Sequence, residues 1–144
     1  MNAPLAQGAP LAHDSALGHV TGRAPFADDL PEVPGLLHGA LLLSPVAHGR
    51  LGALDVAAAR AMPGIVAVIT ARDVPGANDV SPSGREVEPL FAEGELRHHG
   101  QPIAMVVGET RDAALAALSA LKPGIEALPA ILSIEDALAA EAYL

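Results

Sequence analysis

The clearest hydrophobic pattern begins at residue 36. Leu36 to Ser44 is a mostly apolar run broken by His38 and Gly39 and closed by Pro45. A mostly apolar run of this length predicts a strand buried on both faces. A second, shorter strand is expected over Arg50 to Leu54. Asp55 then precedes Val56 to Met62, an Ala-rich helical turn or two that Pro63 and Gly64 end, with Asp55 placed to accept from open backbone N–H groups. Ile65 to Ile69 is the most strand-like stretch, rich in β-branched residues, and Thr70 and Asp73 stand at capping-box spacing before Pro75.

Downstream, Glu95 to His99 and Ile103 to Val107 read as two strands separated by Gly100, Gln101 and Pro102, spacing that suits a hairpin or a bulged strand. Thr110 is a suitable N-cap for a helix over Arg111 to Leu121, where Ala114, Leu115, Leu118 and Leu121 recur every three or four residues and predict a stripe lying on the sheet. Pro123 and Gly124 break that helix, Ile125 to Leu128 adds a last short strand, and Ser133 with Asp136 opens a final helix through Ala140. The order β, β, α, β, loop, β, β, α, β, α predicts a layered α/β (α+β) domain whose helices cover a mixed sheet.

Three regions lack period. Residues 1–12 are a Pro/Ala-rich flexible tail without the basic start and apolar stretch of a secretion signal. Residues 13–35 mix Pro, Gly, Asp and small residues and predict an extended arm with turns at Gly22 and over Pro31 to Gly35. Between Pro75 and Gly94 runs one long irregular connection, and connections of that length are usually functional or mobile. It is the candidate for contact with a partner or ligand.

Composition narrows the picture. Of 144 residues 51% are apolar, yet Phe26, Phe91 and Tyr143 are the only aromatics, so small side chains must pack closely. The chain has no cysteine, which excludes disulfides, thiolate nucleophiles, Cys-based zinc sites and iron–sulfur ligation by its own side chains. Seventeen acidic residues against eight Lys and Arg give a formal charge of −9, which argues against a nucleic-acid surface. Apolar runs such as Ile65 to Ile69 and Ala113 to Leu118 fall far short of the roughly 20 residues of a membrane span. A cytoplasmic location is the expectation.

The six histidines lack metal-site spacing. His98 and His99 are adjacent, so on a strand they point to opposite faces, and no His-x-x-x-His pair occurs; solvent-facing or backbone-bonded histidines are expected. Asp28 and Asp29 diverge as sequence neighbours and suit a turn. No Gly-x-Ser-x-Gly elbow, Walker loop or Gly-x-Gly-x-x-Gly is present, and Ser81, Ser83 and Ser119 have no histidine at an informative position. Glu135 and Asp136 read as helix N-terminal carboxylates. Taken alone, the residues describe a soluble globular α/β domain with no catalytic, cofactor or metal signature.

Several short blocks, taken in order, carry a resemblance: His13-Asp14-Ser15, His19 to Ala24, Asp28 to Pro31, Leu37-His38, Leu43 to His48, Pro63 to Val68, Asp73 to Asp79, His99 to Ile103, Glu109 to Ala114 and Leu128 to Leu138. This collinear set, from about His13 to Ala140, resembles the N-terminal a/b hammerhead segment of the molybdenum-binding subunit of xanthine dehydrogenases, within the wider molybdenum hydroxylase family. Phe26 stands where that family usually shows Tyr, and Lys122-Pro123-Gly124 replaces what is normally unbroken strand, so an irregular edge is expected there.

The resemblance implies a hammerhead domain over residues 36–140, with 141–144 beginning a linker to a molybdopterin-binding region. It implies hydroxylation of hypoxanthine and xanthine to urate, with oxygen from water and electrons passing through iron–sulfur centres and FAD to NAD. The catalytic groups of the family lie in the later region, so this chain is expected to bind none of the cofactors and to be a structural part. Its implied partners are the rest of the molybdenum subunit and an iron–sulfur/FAD subunit. Ser81, Pro82 and Ser83 fall roughly where the family gates the substrate passage. The competing readings are the same domain of an aldehyde oxidoreductase and a stand-alone, non-enzymatic interaction module. An isolated piece is expected to expose apolar surface, with self-association as the consequence.

Overall fold

A computed structural model of the chain describes residues 13–82 and 88–142. The tail expected over residues 1–12, Ser83 and the last two residues lie outside the described residues. Two compact units divide the chain between Pro34 and Gly35.

In the first unit, the arm is not wholly extended. Ala16–Val20 forms a short helix, α1, with no buried residue; its C-terminal Thr21 returns its hydroxyl to the Leu17 carbonyl at 2.6 Å. Gly22 follows at φ 70°, so the turn expected there is present. Asp29 accepts the Phe26 N–H at 3.0 Å and closes a 3₁₀ turn over Ala27–Asp29, the turn role expected of the adjacent aspartates. Phe26 is exposed, its ring 5.7 Å from that of His19.

The second unit is α+β. Among the described residues its strands form two three-stranded sheets rather than one mixed sheet, and every pairing is antiparallel. In the first sheet, β5 (Pro102–Gly108) lies between β1 (His38–Leu43) and β3 (Ile65–Thr70). In the second, β2 (Gly49–Asp55) lies between β4 (Glu95–Leu96) and β6 (Lys122–Ala127). The helices are α2 (Ala57–Arg60), α3 (Arg111–Leu118) and α4 (Ile134–Ala139).

Two apolar clusters hold the unit together. One lies between the first sheet and the helices, where Ala40, Val68, Ala104 and Val106 meet Ala59, Ala114, Ala117 and Leu121. The other contains Ala92, Leu96 and Ile103, surrounded by Val46, Leu51 and Ile125; Leu42 and Leu54 pack against both clusters. Small side chains let α3 settle close to the sheet. Gly108 makes this possible at the strand end, because a Cβ there would stand 3.0 Å from the Ala114 nitrogen and 3.2 Å from the Thr110 carbonyl oxygen.

Several sequence expectations need correction. Strand β1 is buried on one face only: Ala40 points into the core, whereas Leu41 and Leu43 are each 46% exposed. Ala40 to Leu43 are apolar at every position, so the pattern carried no sign of which face lacks cover. On α3 the inward stripe is Ala114, Ala117, Leu118 and Leu121, and Leu115 is exposed. The helix ends at Leu118 because the last turn tightens, Ala120 and Leu121 donating to the carbonyls three residues back.

Strands β4 and β5 do not form a hairpin; β4 pairs with β2 in the second sheet. Leu96, fully buried in the cluster that Leu51 and Leu54 of β2 and Ile125 of β6 pack against, explains that choice, and Gly100 at φ 83° provides the change of direction. Strand β6 begins at Lys122 rather than Ile125, because it is an edge strand, where proline is tolerated. The expected irregularity is present as a shift in the β2–β6 register between Leu51 and Leu54, opposite Pro123 to Ile125.

The caps fall where the sequence placed them. Thr110 accepts from Ala113 N–H at 3.1 Å, Ser133 from Asp136 N–H at 3.1 Å, and Asp55 from Ala57 N–H at 2.9 Å.

Candidate functional site

Three of the blocks that carried the resemblance, Leu43 to His48, His99 to Ile103 and Leu128 to Leu138, are joined by hydrogen bonds of Ser44 and His48. Ser44, 1% exposed at the close of β1, shares its hydroxyl with Val46, donating to the carbonyl at 2.8 Å and receiving the N–H at 3.3 Å. Its backbone N–H donates to the Gln101 carbonyl and its carbonyl accepts from Gly100, both at 2.8 Å. Gln101, 2% exposed, accepts the Arg97 N–H on Oε1 at 2.7 Å. Every buried side-chain polar atom among the described residues has a partner. A satisfied buried network fixes geometry, because breaking one bond leaves a desolvated group without a partner.

His48, at the start of β2, reaches the other end of the chain. Its Nδ1 lies 2.8 Å from the Pro129 carbonyl oxygen, its own carbonyl accepts the Leu128 N–H at 3.0 Å, and its Nε2 stands 3.7 Å from Glu95 Oε1. Glu95 also receives Arg97 Nε at 3.0 Å. A groove of ≈ 470 Å³ here is lined by His48, Arg97, His98, His99 and Pro129 to Leu132, with Ala47. The His98 Nδ1 lies 3.1 Å from the His99 carbonyl oxygen.

The long connection is more ordered at its base than its composition suggests. Asn78 acts as a strand would: its Nδ2 donates to the Phe91 carbonyl at 2.8 Å and its Oδ1 accepts the Phe91 N–H at 3.0 Å. Asp79 Oδ1 receives the N–H groups of Ser81 and Glu88 at 3.1 and 3.3 Å, and its Oδ2 receives the Ser81 hydroxyl at 2.6 Å. Ser81 is therefore half-buried and committed to a local turn, while Pro82 is exposed. A cleft of ≈ 330 Å³ beside this neck is lined by Asn78, Asp79, Glu93, Glu95 and Arg97, among others. Sequence reading missed Asn78; an amide side chain gives no signal of a backbone partner thirteen residues away.

Asp73 holds the shoulder after β3. Its Oδ2 receives the Thr70 hydroxyl and the Thr70 N–H, both at 2.8 Å, and Arg60 stands 4.0 Å away. These hydrogen bonds, with a smaller contribution from Arg60, hold its carboxyl below the usual carboxylate range.

On the outer face of the first sheet, Leu41, Met105 and Ile69 stand side by side across β1, β5 and β3, with Val107 and Ala67 in the next row. None is fully buried. Among the described residues no three His, Asp or Glu side chains come together as metal ligands, and no cysteine is present. Without cysteine the chain offers no thiolate ligand to an iron–sulfur cluster.

Two antiparallel three-stranded sheets, joined through shared leucines and with short helices packed on the first, match the architecture of a hammerhead domain of the molybdenum hydroxylases. The chain belongs to the family described as aldehyde oxidase and xanthine dehydrogenase, a/b hammerhead domain, which it matches over residues 21–128. It is 41% identical over 138 residues to a xanthine dehydrogenase of Oryza sativa subsp. japonica, covering 96% of this chain and 10% of that protein. Among solved structures it is similar to the aldehyde oxidoreductase of Desulfovibrio gigas, with a TM-score of 0.77 and 30% identity, covering 91% of this chain and 16% of that one. The quinoline 2-oxidoreductase of Pseudomonas putida 86 gives a TM-score of 0.77 and 34% identity over 92% of this chain and 18% of that one.

Proposed function

We propose that the chain serves as the structural hammerhead domain of a xanthine dehydrogenase-type molybdenum hydroxylase, converting hypoxanthine and xanthine to urate with NAD as acceptor. Catalysis is the work of regions beyond these residues, and the chain braces them. The observation that carries this reading is the apolar outer face of the first sheet. A row of Leu41, Met105 and Ile69 left partly open to water is unfavourable in a free domain and favourable where further protein covers it. The molybdopterin, iron–sulfur clusters and FAD of such an enzyme would be held by the rest of the molybdenum subunit and an iron–sulfur/FAD subunit, in the cytoplasm. Ser81 and Pro82 are proposed to line one side of the substrate passage, supported by the Asp79 turn that fixes Ser81; Ser83, of the same proposal, lies outside the described residues.

Two measurements test the brace. The 144-residue chain alone should show neither NAD reduction with xanthine nor stoichiometric molybdenum. In the complete enzyme, Leu41→Glu should reduce the yield of assembled, molybdenum-loaded protein. Turnover by the isolated chain, or full assembly of the variant, overturns the reading. A second reading, the same domain in an aldehyde oxidoreductase, is favoured by the likeness to the Desulfovibrio gigas structure. Turnover of the complete enzyme with an aldehyde but not with xanthine would select it.

A further inference from the structure

We infer that His48 is a proton-responsive clasp, which holds the segment leaving β6 against the β4 edge and tightens on acidification. The argument begins with the Pro129 carbonyl, 2.8 Å from His48 Nδ1. A carbonyl oxygen only accepts, so Nδ1 carries the hydrogen. In the neutral ring the other nitrogen, Nε2, then presents a lone pair, and it faces the Glu95 carboxylate at 3.7 Å. Two acceptors oppose one another there. Proton uptake gives Nε2 a hydrogen and the ring a positive charge, and the same contact becomes an ion pair.

The other charges around the ring leave this switch intact. Arg97 is turned onto Glu95 at 3.0 Å and shares the carboxylate with His48. His98 and His99 line the same groove, His98 with its Nδ1 against the His99 carbonyl. From β2 and β6, Arg50 and Glu126 pair with each other at 3.7 Å. The rest of the groove lining, Ala47 and Pro129 to Leu132, carries no charged side chain. His48 thus holds this segment through its backbone, by Leu128 N–H to His48 carbonyl at 3.0 Å, and through its side chain, by Nδ1–H to the Pro129 carbonyl, with the Glu95 ion pair added when the ring takes up a proton. What it positions is apolar: Ile131 is 46% and Leu132 79% exposed, and Ile134 and Leu138 follow on α4. The clasp sets the direction in which this hydrophobic stretch leaves the domain.

Nitrogen-15 and carbon-13 NMR on the 144-residue chain tests the assignment. Neutral His48 should carry its proton on Nδ1, and the Pro129 carbonyl carbon and Ala130 amide should shift with the midpoint of the His48 ring. The Leu128 amide should be about two- to fivefold better protected from exchange, corrected for the intrinsic rate, below that midpoint than above it, as suits an exposed ion pair. His48→Asn, whose amide can donate from the Nδ1 position without titrating, should leave protection at Leu128 flat with pH. A neutral ring protonated on Nε2, Leu128 protection indifferent to the His48 titration, or an unchanged response in His48→Asn would each overturn the proposal.

Discussion

Replacing Leu96 with alanine tests whether the second sheet rests on a core of its own. Leu96 is 0% exposed, and its neighbours come from different elements: Ala92 and Ile103 beside it, with Leu42, Val46, Leu51, Leu54 and Ile125 around them. Truncation removes three carbons from water-excluded space and leaves a void whose walls are fixed by two separate strand ladders, so little collapse is available. Leucine-to-alanine changes at such sites cost roughly 2.7–5 kcal/mol, and the rigid walls place this one at about 4 kcal/mol. That is a large share of the roughly 5–15 kcal/mol that holds a domain folded. With a urea slope of about 2 kcal/mol per molar, the unfolding midpoint should fall by about 2 M at unchanged slope. Leu41→Ala on the outer face of β1, 46% exposed, is the control and should cost about 1 kcal/mol or less in the isolated chain. A loss below about 1 kcal/mol for Leu96→Ala, or equal losses for both variants, would refute the two-cluster account.

Three further outcomes follow from particular contacts. Gly108→Ala drives a Cβ against Ala114 and Thr110 backbone atoms, so it should destabilise by about 1–3 kcal/mol in thermal melts, and an unchanged Tm would contradict the close helix–strand approach. Thr110→Ala removes the acceptor for Ala113 N–H and should cost about 1 kcal/mol, with Thr110→Ser recovering most of it in the same urea assay. Asp73 is held below the usual carboxylate range, so the stability it contributes is present above the ordinary Asp value and is lost as pH falls through its folded value. Asp73→Asn should therefore flatten the acid limb of a stability–pH curve, and an identical limb in the variant would count against the Thr70 and Arg60 contacts.

Local chemistry was readable wherever it was dictated by neighbours in sequence. The caps at Thr110 and Ser133, the Thr70–Asp73 box and the strand over Ile65 to Thr70 all follow from spacing of a few residues. The collinear blocks pointed to the hammerhead family, and the match over residues 21–128 agrees. What stayed hidden was pairing across distance. Two strand-like segments around Gly100 look like a hairpin in any local reading, yet β4 pairs with β2 and buries Leu96 in the second cluster, and only the tertiary core decides that. The apolar run of β1 could not reveal its open face, and the α3 stripe shifted from Leu115 to Ala117 because the sheet accepts a small side chain there. The joining of His48 to Pro129 and of Ser44 to Gln101 likewise links blocks that are unremarkable alone.

The Asn78–Phe91 bridge has an architectural consequence. By imitating a strand partner, one amide side chain closes the base of the connection, so Phe91 and Ala92 enter the core from a fixed point. Closing a loop costs only about 0.6 kcal/mol more for each doubling of its length. Insertions or exchanges of residues beyond that closure are therefore cheap, and descendants of this domain could diversify the rim there while inheriting an unaltered foundation.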